Sequence, residues 1–265
     1  MLIAQLSDPH LRPAGELYRG LVDSNAMFAA ALDQLDRLDP QPDLVLLSGD
    51  LVEEGTEAEY AQAASLLARL RAPILAIPGN HDSRDGFRRC FAHHPHLPAS
   101  GPLHFAADGF GPLRVLGLDV TVPGAHHGEM DAAAYAWLEA RLAEQPGRPT
   151  LIMMHQPPFA SGIPFIDPYR CHHGERLAAI VARHPSVERI LCGNLHRFMQ
   201  LRFAGTLLMT APSTTTALAL RLSPDAEPAS YVEPPAMLLH HWRKETGLVT
   251  HLMPIGTFRG PLPFF

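Results

Sequence analysis

The sequence has few cysteines, few charged residues and no excess of positive charge. Its three cysteines cannot form a network of disulfide bonds, which favours a reducing compartment such as the cytoplasm over secretion. Charged residues make up 18% of the chain and hydrophobic residues 46%, so there is ample material for a core and a disordered chain is excluded. The formal net charge of −6 argues against a nucleic-acid polymer as the partner.

Long hydrophobic runs and several common catalytic motifs are also missing. No apolar run approaches the roughly 20 residues that span a bilayer, and the N-terminal residues lack the basic segment of a secretion signal, so no membrane partner is expected. The glycine-rich phosphate loop of nucleotide hydrolases and the Gly-x-Ser-x-Gly motif of serine hydrolases do not occur. Histidine, by contrast, is abundant at 16 residues, which raises the question of metal binding.

Short apolar segments alternate with longer amphipathic segments over about the first 200 residues, which predicts an α/β fold with crossover connections. The predicted strands are Leu2–Leu6, Asp43–Leu47, Pro73–Ile77, Arg114–Leu118, Thr150–Met154 and Arg189–Leu191, and the predicted helices are Ser24–Leu38, Glu57–Leu70, Asp131–Ala143 and Glu175–Arg183. Strand-like segments follow, among them Thr215–Leu222 and Met237–Trp242. We expect a single domain over residues 1–265, whose strand-rich part at about 200–265 is an oligomerisation or cap element.

Polar residues directly follow five of the predicted strands. They are Asp8-Pro9-His10, Gly49-Asp50, Gly79-Asn80-His81-Asp82, His155 and Gly193-Asn194-Leu195-His196. Each motif alone also occurs in ordinary turns, but ligands of open α/β sheets bind at the carboxyl ends of strands, where all five would converge. Carboxylate, imidazole and amide groups without thiolates suit divalent iron, manganese, cobalt or zinc. Two such ions that share a carboxylate can clamp a phosphate and activate a water molecule.

These motifs resemble the pattern of the calcineurin-like metallophosphoesterase superfamily, which is D-x-H, G-D, G-N-H-[DE], H and G-H-x-H. The resemblance extends to the class III cyclic nucleotide phosphodiesterases and the bacterial glycerophosphodiesterases through LYRGLVDSNA (17–26), IPGNHD (77–82), WLEARL (137–142) and DPYRC (167–171). It covers about residues 1–215. It implies a four-layer αββα sandwich that hydrolyses small phosphodiesters, either cyclic nucleotides or glycerophosphodiesters, by a metal-bound hydroxide.

The resemblance also implies ligands for two divalent metal ions. One ion would be held by Asp8, His10 and His196, the other by Asn80, His155 and the residue at position 194, with Asp50 bridging both. His81 would lie near the leaving group, so that His81, Asp50 and Asn80 are the expected catalytic residues. The pairs His126-His127 and His172-His173 are candidates for the rim of the cleft, whereas the loop 212–216 is interpreted as an ordinary turn.

The sequence departs from the family pattern at Asn194, where the family has a histidine ligand. An amide oxygen is a weaker donor than imidazole for these metals, so we expect a weakened second site. An engineered substitution, a natural variant and a protein of reduced activity all remain open at this point. A broad-specificity phosphomonoesterase and a weakly active or non-catalytic binder of phosphate ligands are the alternative functions. The hydrophobic C-terminal segment Pro-Leu-Pro-Phe-Phe suggests a homo-oligomer.

Overall fold

Residues 1–264, which this computed structural model describes, form thirteen β-strands and five α-helices. The strands are β1 Leu2–Leu6, β2 Leu44–Ser48, β3 Ile74–Ile77, β4 Phe105–Phe110, β5 Leu113–Leu118, β6 Thr150–Met154, β7 Val187–Cys192, β8 Met199–Phe203, β9 Thr206–Thr210, β10 Ala217–Leu218, β11 Ser230–Tyr231, β12 Ala236–Arg243 and β13 Gly247–Pro254. The α-helices are α1 Ser24–Asp36, α2 Glu57–Leu67, α3 Arg84–Cys90, α4 Ala132–Glu144 and α5 Gly174–Val181. The predicted domain, 1–265, extends one residue further, and Phe265 lies outside the described part.

Two large sheets contain most of the strands. The first has the order β13-β12-β1-β2-β3 and the second the order β4-β5-β6-β7-β9-β8. Strands β1, β2 and β3 run parallel, as do β5, β6, β7 and β9, whereas β12 pairs antiparallel with β1. The parallel strands are almost continuous apolar runs because both of their faces are covered.

Alternation along β2 shows how the layers are arranged. Leu44 and Leu46 belong to a core between the two sheets, whereas Val45 and Leu47 belong to a second core beneath α1 and its neighbours. A third core packs α4 and α5 against the outer face of the second sheet, for example through Leu138. The predicted four-layer αββα sandwich is therefore confirmed.

Polar side chains fix where the helices begin. Asp23 caps α1 by accepting from the backbone N–H of Ala26. Thr56 and Glu59 form a reciprocal capping box at α2. Within residues 1–264, none of the helices is both long and apolar enough to cross a membrane.

The strand predicted over Thr215–Leu222 is wrong in length, because only Ala217–Leu218 form a strand, β10. The preceding residues use their polar groups elsewhere: the Thr215 hydroxyl donates to the carbonyl of Pro9, and the Thr216 carbonyl accepts from His196 Nδ1. The Thr216 carbonyl, which bonds to a side chain of another loop, is therefore not available for regular pairing with a neighbouring strand. β10 pairs only with the two-residue strand β11.

Candidate metal centre

The loops after β1, β2, β6 and β7 meet at one edge of the sandwich, at the carboxyl ends of the strands. Backbone hydrogen bonds join them: Asp8 N–H donates to the Gly49 carbonyl at 3.1 Å, and His10 N–H to the Asp50 carbonyl at 3.1 Å. Within the second sheet, Gly193 N–H donates to the His155 carbonyl at 3.0 Å and joins the loops after β7 and β6. The sequence motifs therefore come together through their main chains, which limits how far their side chains can move apart.

Backbone conformation marks the same residues. Among residues 1–264, eight non-glycine residues have a positive φ, and five of them belong to the predicted site: Asp8, His10, Asp50, Asn194 and His196. Left-handed backbone is unfavourable for residues with a Cβ atom and persists where the surrounding structure imposes it. Such a concentration at one point of the fold is typical of a functional site.

Glycine is required beside these residues because the loops approach one another closely. A methyl group at Gly79 would lie 2.1 Å from Asp50 Oδ1, and one at Gly49 would lie 2.2 Å from His155 Nδ1. Both distances are shorter than any tolerable contact. The glycines of the two motifs therefore allow Asp50 and His155 to occupy the centre.

Four of the predicted ligands form a buried cluster. The ligand atoms of Asp8, His10, Asp50 and His196 all lie within 4.8 Å of one another. His196 Nε2 lies 3.5 Å from Asp8 Oδ1, and His10 Nε2 lies 3.6 Å from Asp50 Oδ2. The two Nε2 atoms of His10 and His196 are only 3.1 Å apart. Two carboxylates and two imidazoles thus converge in a space that water scarcely reaches.

Hydrogen bonds on the far side of each ring determine which nitrogen faces the cluster. His196 Nδ1 donates to the Thr216 carbonyl at 2.9 Å, and His155 Nδ1 donates to the Ser48 carbonyl at 2.7 Å. A carbonyl oxygen only accepts, so Nδ1 carries the proton and the lone pair of a neutral ring is on Nε2. His10 Nδ1 is held in the same way by the Glu53 carboxylate at 2.7 Å. This is the arrangement found for metal-binding histidines.

His155 also lies beside Asp50, outside the group of four. Its Nε2 atom lies 3.2 Å from Asp50 Oδ2 and 3.8 Å from Asp8 Oδ1, yet it is buried and makes no hydrogen bond within residues 1–264. Lone pairs of neutral His10 and His196 face each other beside two buried carboxylates. Such a donor set needs a cation, so the residues fit divalent metal binding.

The electrostatics lead to the same conclusion. Burial alone would raise the pKa of Asp50, but the neighbouring histidines, His155 first, outweigh this and lower its pKa well below the usual value. Burial lowers the pKa of His155, but the carboxylates of Asp50 and Asp8 outweigh it and raise this pKa to about 9. The centre therefore favours positive charge, whether as a proton on His155 or as a metal ion.

The two predicted amide ligands lie at the edge of the cluster. Asn80 Oδ1 accepts from Gln156 Nε2 at 3.2 Å, and Asn80 Nδ2 lies 3.3 Å from His126 Nδ1. Asn194 is buried, and its backbone N–H donates to Asp8 Oδ1 at 3.0 Å. The Asn194 Nδ2 atom is buried without a hydrogen-bond partner in the described chain.

His81 stands beside the cluster and remains partly exposed. Its backbone N–H donates to Asp50 Oδ1 at 3.0 Å, and its Nδ1 donates to the Glu53 carbonyl at 2.7 Å. The His81 and His10 rings meet edge to face, with centroids 4.9 Å apart. Although burial lowers the pKa of His81, the charges of Asp50 and Glu53 raise it on balance. A protonated His81 is thus favoured next to the centre.

Several residues outside the predicted ligand set support the site. Glu53 accepts a hydrogen bond from His10 Nδ1, and the Ser213 hydroxyl donates to the Asp8 carbonyl at 2.7 Å. Asp82 accepts from the backbone of Leu51 and Gly79, which ties two of the ligand loops together. Glu53 has no sequence signal beyond lying three residues after Asp50, and the loop 212–216 is more than the ordinary turn that was predicted.

Comparisons with known proteins agree with this geometry. The family model of the calcineurin-like phosphoesterases matches residues 1–198. A glycerophosphodiester phosphodiesterase of Enterobacter lignolyticus is 36% identical over 246 residues, which are 91% of this chain and 86% of the relative. A 3′,5′-cyclic adenosine monophosphate phosphodiesterase of Escherichia coli K12 is 30% identical over 214 residues, 80% of this chain and 75% of the relative.

The fold also resembles a solved structure. A dimetal phosphatase from Danio rerio superposes with a TM-score of 0.62 at 14% identity, over 97% of this chain and 99% of that one. At this identity the likeness concerns the fold alone. From the family match, the two relatives and a buried cluster of carboxylates and imidazoles suited to divalent metal, we conclude that the chain belongs to the calcineurin-like phosphoesterase family and is a metal-dependent hydrolase.

Proposed function

We propose that this protein hydrolyses small phosphodiesters and that cyclic nucleotides or glycerophosphodiesters are its substrates. The observation that carries the proposal is the buried cluster of Asp8, His10, Asp50 and His196, with His155 Nε2 directed at Asp50. The names of the relatives, glycerophosphodiester phosphodiesterase and cyclic adenosine monophosphate phosphodiesterase, support diesters as the substrate class.

The proposal includes two divalent ions, drawn from iron, manganese, cobalt and zinc. One would be held by Asp8, His10 and His196, the other by Asn80, His155 and Asn194, with Asp50 between them. Divalent ions supply charge stabilisation for phosphoryl oxygens and lower the pKa of a water molecule. The carbonyl partners of the His155 and His196 rings keep each Nε2 available, which pre-organises the site.

His81 is proposed to handle the proton of the leaving group. Because its Nδ1 donates to the Glu53 carbonyl, Nε2 is the atom that can hold and give up the second proton. The raised pKa of His81, caused by the charges of Asp50 and Glu53, favours the form that carries this second proton. A proton delivered from Nε2 to the departing alkoxide would assist cleavage of the ester bond. Asp50 and Asn80 complete the proposed catalytic group.

Asn194 is proposed to weaken the second metal site. Its side chain is buried beside the centre but is shorter than histidine and offers only an amide. Titration of the metal-free protein with Mn²⁺, followed by analysis of bound metal, should show one tight and one weak site. Asn194→His should tighten the weak site, whereas two equal tight sites in the unchanged protein would contradict this part of the proposal.

Turnover of paired esters tests the proposed activity. Bis(p-nitrophenyl) phosphate and p-nitrophenyl phosphate share a leaving group, so their relative kcat/KM with Mn²⁺ separates a diesterase from a monoesterase. We expect the diester to be preferred, and Asp50→Asn to remove turnover of both. A preference for the monoester would favour the broad-specificity phosphomonoesterase. Absence of metal-dependent turnover at millimolar Mn²⁺ would favour a non-catalytic binder of phosphate ligands. The argument for this alternative is Asn194, which stands where the family has a histidine ligand.

Assembly and location are further parts of the proposal. We propose a single domain whose C-terminal part promotes homo-oligomer formation, because Val249, Leu252 and Phe258 leave apolar surface exposed on and after the edge strand β13. Light scattering that shows a monomer would contradict this. We also propose a cytoplasmic location, since Cys90 and the other two cysteines are free thiols. Fractionation of cells that express the protein would test it.

A further inference from the structure

A cavity of about 600 Å³ opens directly beside the metal centre. His196 and Thr216 line its inner end, and three separate segments of the chain form its walls: the loop 18–22, the loop 165–169 and the segment 228–232. Its apolar and aromatic lining includes Tyr18, Leu21, Phe165, Tyr169, Tyr231 and Val232. A volume of this size is typical of small-molecule sites.

The walls of this cavity are unusually apolar for a protein surface. Leu21 is 83% exposed, Val232 is 66% exposed and Tyr231 is 53% exposed. Large apolar side chains that lie exposed together mark binding surfaces rather than ordinary surface. Arg19, a basic side chain of the lining, pairs through Nε with Glu53 at 3.1 Å and lies over the ring of Tyr18. The carboxylate of Glu53 therefore offsets the charge of this guanidinium group.

Continuity with the metal centre identifies the occupant as part of the substrate. The ring of Tyr18 lies 5.2 Å from the ring of His10, and His196 belongs both to the cluster and to the cavity wall. An ester group attached to a phosphate at the centre would therefore extend into the cavity. No displacement of the described chain is needed to admit it, because the cavity is already open.

We propose that this cavity binds a planar aromatic ring carried by an ester group of the diester, such as the nucleobase of a nucleotide or an aryl ring, and so makes aromatic diesters the preferred substrates over glycerol diesters. The inference rests on the proposed diesterase function and narrows its substrate class. Two exposed tyrosines of the lining, Tyr169 and Tyr231, offer faces on which a flat ring stacks. A glycerol group would lose water from its hydroxyls against the apolar walls with few partners in return.

KM and kcat for an aromatic diester and a glycerol diester test the proposed role of the cavity. We would measure KM and kcat for 3′,5′-cyclic AMP and for glycerophosphoethanolamine in the metal-loaded protein. Tyr231→Ala should raise KM for the cyclic nucleotide about five- to tenfold, the lower range for base–aromatic stacking, and leave KM for the glycerol diester within about twofold. Leu21→Ser, which removes apolar surface from the wall, should also raise KM for the cyclic nucleotide more than KM for the glycerol diester. Tyr231→Phe retains the ring and should restore the wild-type KM. Leu222→Ser alters a comparably exposed leucine outside the lining and should change neither substrate.

A binding measurement separates failure of the cavity assignment from failure of the proposed function. Phenyl phosphate, cyclohexyl phosphate and glycerol 3-phosphate carry the same phosphate group on three different substituents. Isothermal titration of the metal-loaded protein should rank phenyl phosphate first, and Tyr231→Ala should reduce that preference. If no diester is turned over but this ranking and its loss are observed, the proposed function fails and the cavity assignment stands.

Three results would overturn the cavity assignment while diester hydrolysis persists. The first is an equal effect of Tyr231→Ala on aromatic and glycerol ligands. The second is tighter binding of cyclohexyl phosphate than of phenyl phosphate, which would show an apolar pocket without a preference for planar rings. The third is a change in the mass of the assembly in solution for Leu21→Ser or Tyr231→Ala, with no change in ligand ranking. This result would show that the cavity wall is a subunit interface instead.

Discussion

Replacing His240 by glutamine should weaken the dependence of stability on pH in the acidic range. His240 lies on β12 and is fully buried between the sheets. Its ring nitrogens bond with Gln5 Oε1 at 3.1 Å and with the hydroxyl of Thr250 at 2.9 Å. Burial, with a smaller contribution from the charge of Arg189, lowers the pKa of His240 to about 3. The folded protein therefore keeps this ring neutral.

The sign and size of the effect follow from linkage. The pKa of His240 is lower in the folded protein than its usual value of 6.5, so its contribution to stability is complete above about pH 6.5. As the pH falls from about 6.5 towards 3, the unfolded chain binds a proton that the folded protein does not, at a cost of about 1.4 kcal/mol per pH unit. At about pH 4.5 the free energy of unfolding should thus be lower by about 2–3 kcal/mol from this residue alone.

Urea unfolding at about pH 7 and about pH 4.5 measures this contribution as a difference between proteins. All other titrating groups are shared, so the wild-type protein should lose about 2–3 kcal/mol more than His240→Gln on acidification. His251→Gln changes an exposed histidine of the neighbouring strand β13 and should behave like the wild type. Parallel pH dependence of the wild type and His240→Gln would refute the reasoning, because it would mean that the buried ring takes up its proton without unfolding.

Three other substitutions probe the centre and the core. Gly79→Ala would place a methyl group 2.1 Å from Asp50 Oδ1 and should weaken Mn²⁺ binding at least tenfold by titration; unchanged affinity would refute the close approach. Glu53→Gln removes the anionic partner of His10 Nδ1 and should weaken Mn²⁺ binding about 10- to 100-fold, with unaltered affinity as the contrary result. Phe28→Ala should lower the free energy of urea unfolding by about 3–5 kcal/mol, and a loss below about 1 kcal/mol would contradict its burial in the core.

Local patterns in the sequence predicted the layered fold and the convergence of the motifs. Strands such as β2 and β6 are short apolar runs that end directly in polar residues, so both the strand and its functional end can be recognised within a few residues. Parallel strands place their carboxyl ends at one edge. The sequence alone therefore predicts that Asp8, Asp50 and His155, which follow such strands, lie close together.

Contacts between distant segments could not be predicted in this way. β12 pairs with β1 across more than two hundred residues, and no periodicity in either strand specifies the other. Glu53 reaches His10 because the chain after Asp50 runs beside the chain after Asp8, with a bridge between Leu11 and Val52. The length of β10 likewise depends on bonds to another loop. These features follow from tertiary packing, which a single sequence does not record.

Reconstitution of the metal-free protein with Mn²⁺ tests the central claim most directly, when bound metal and hydrolysis of bis(p-nitrophenyl) phosphate are measured on the same samples. We predict that hydrolysis is absent without metal, rises with bound Mn²⁺, and is lost together with metal binding in Asp50→Asn, the variant that removes one charge from the buried cluster. Hydrolysis that persists without bound metal, or an Asp50→Asn variant that binds Mn²⁺ and turns over like the wild type, would contradict the account.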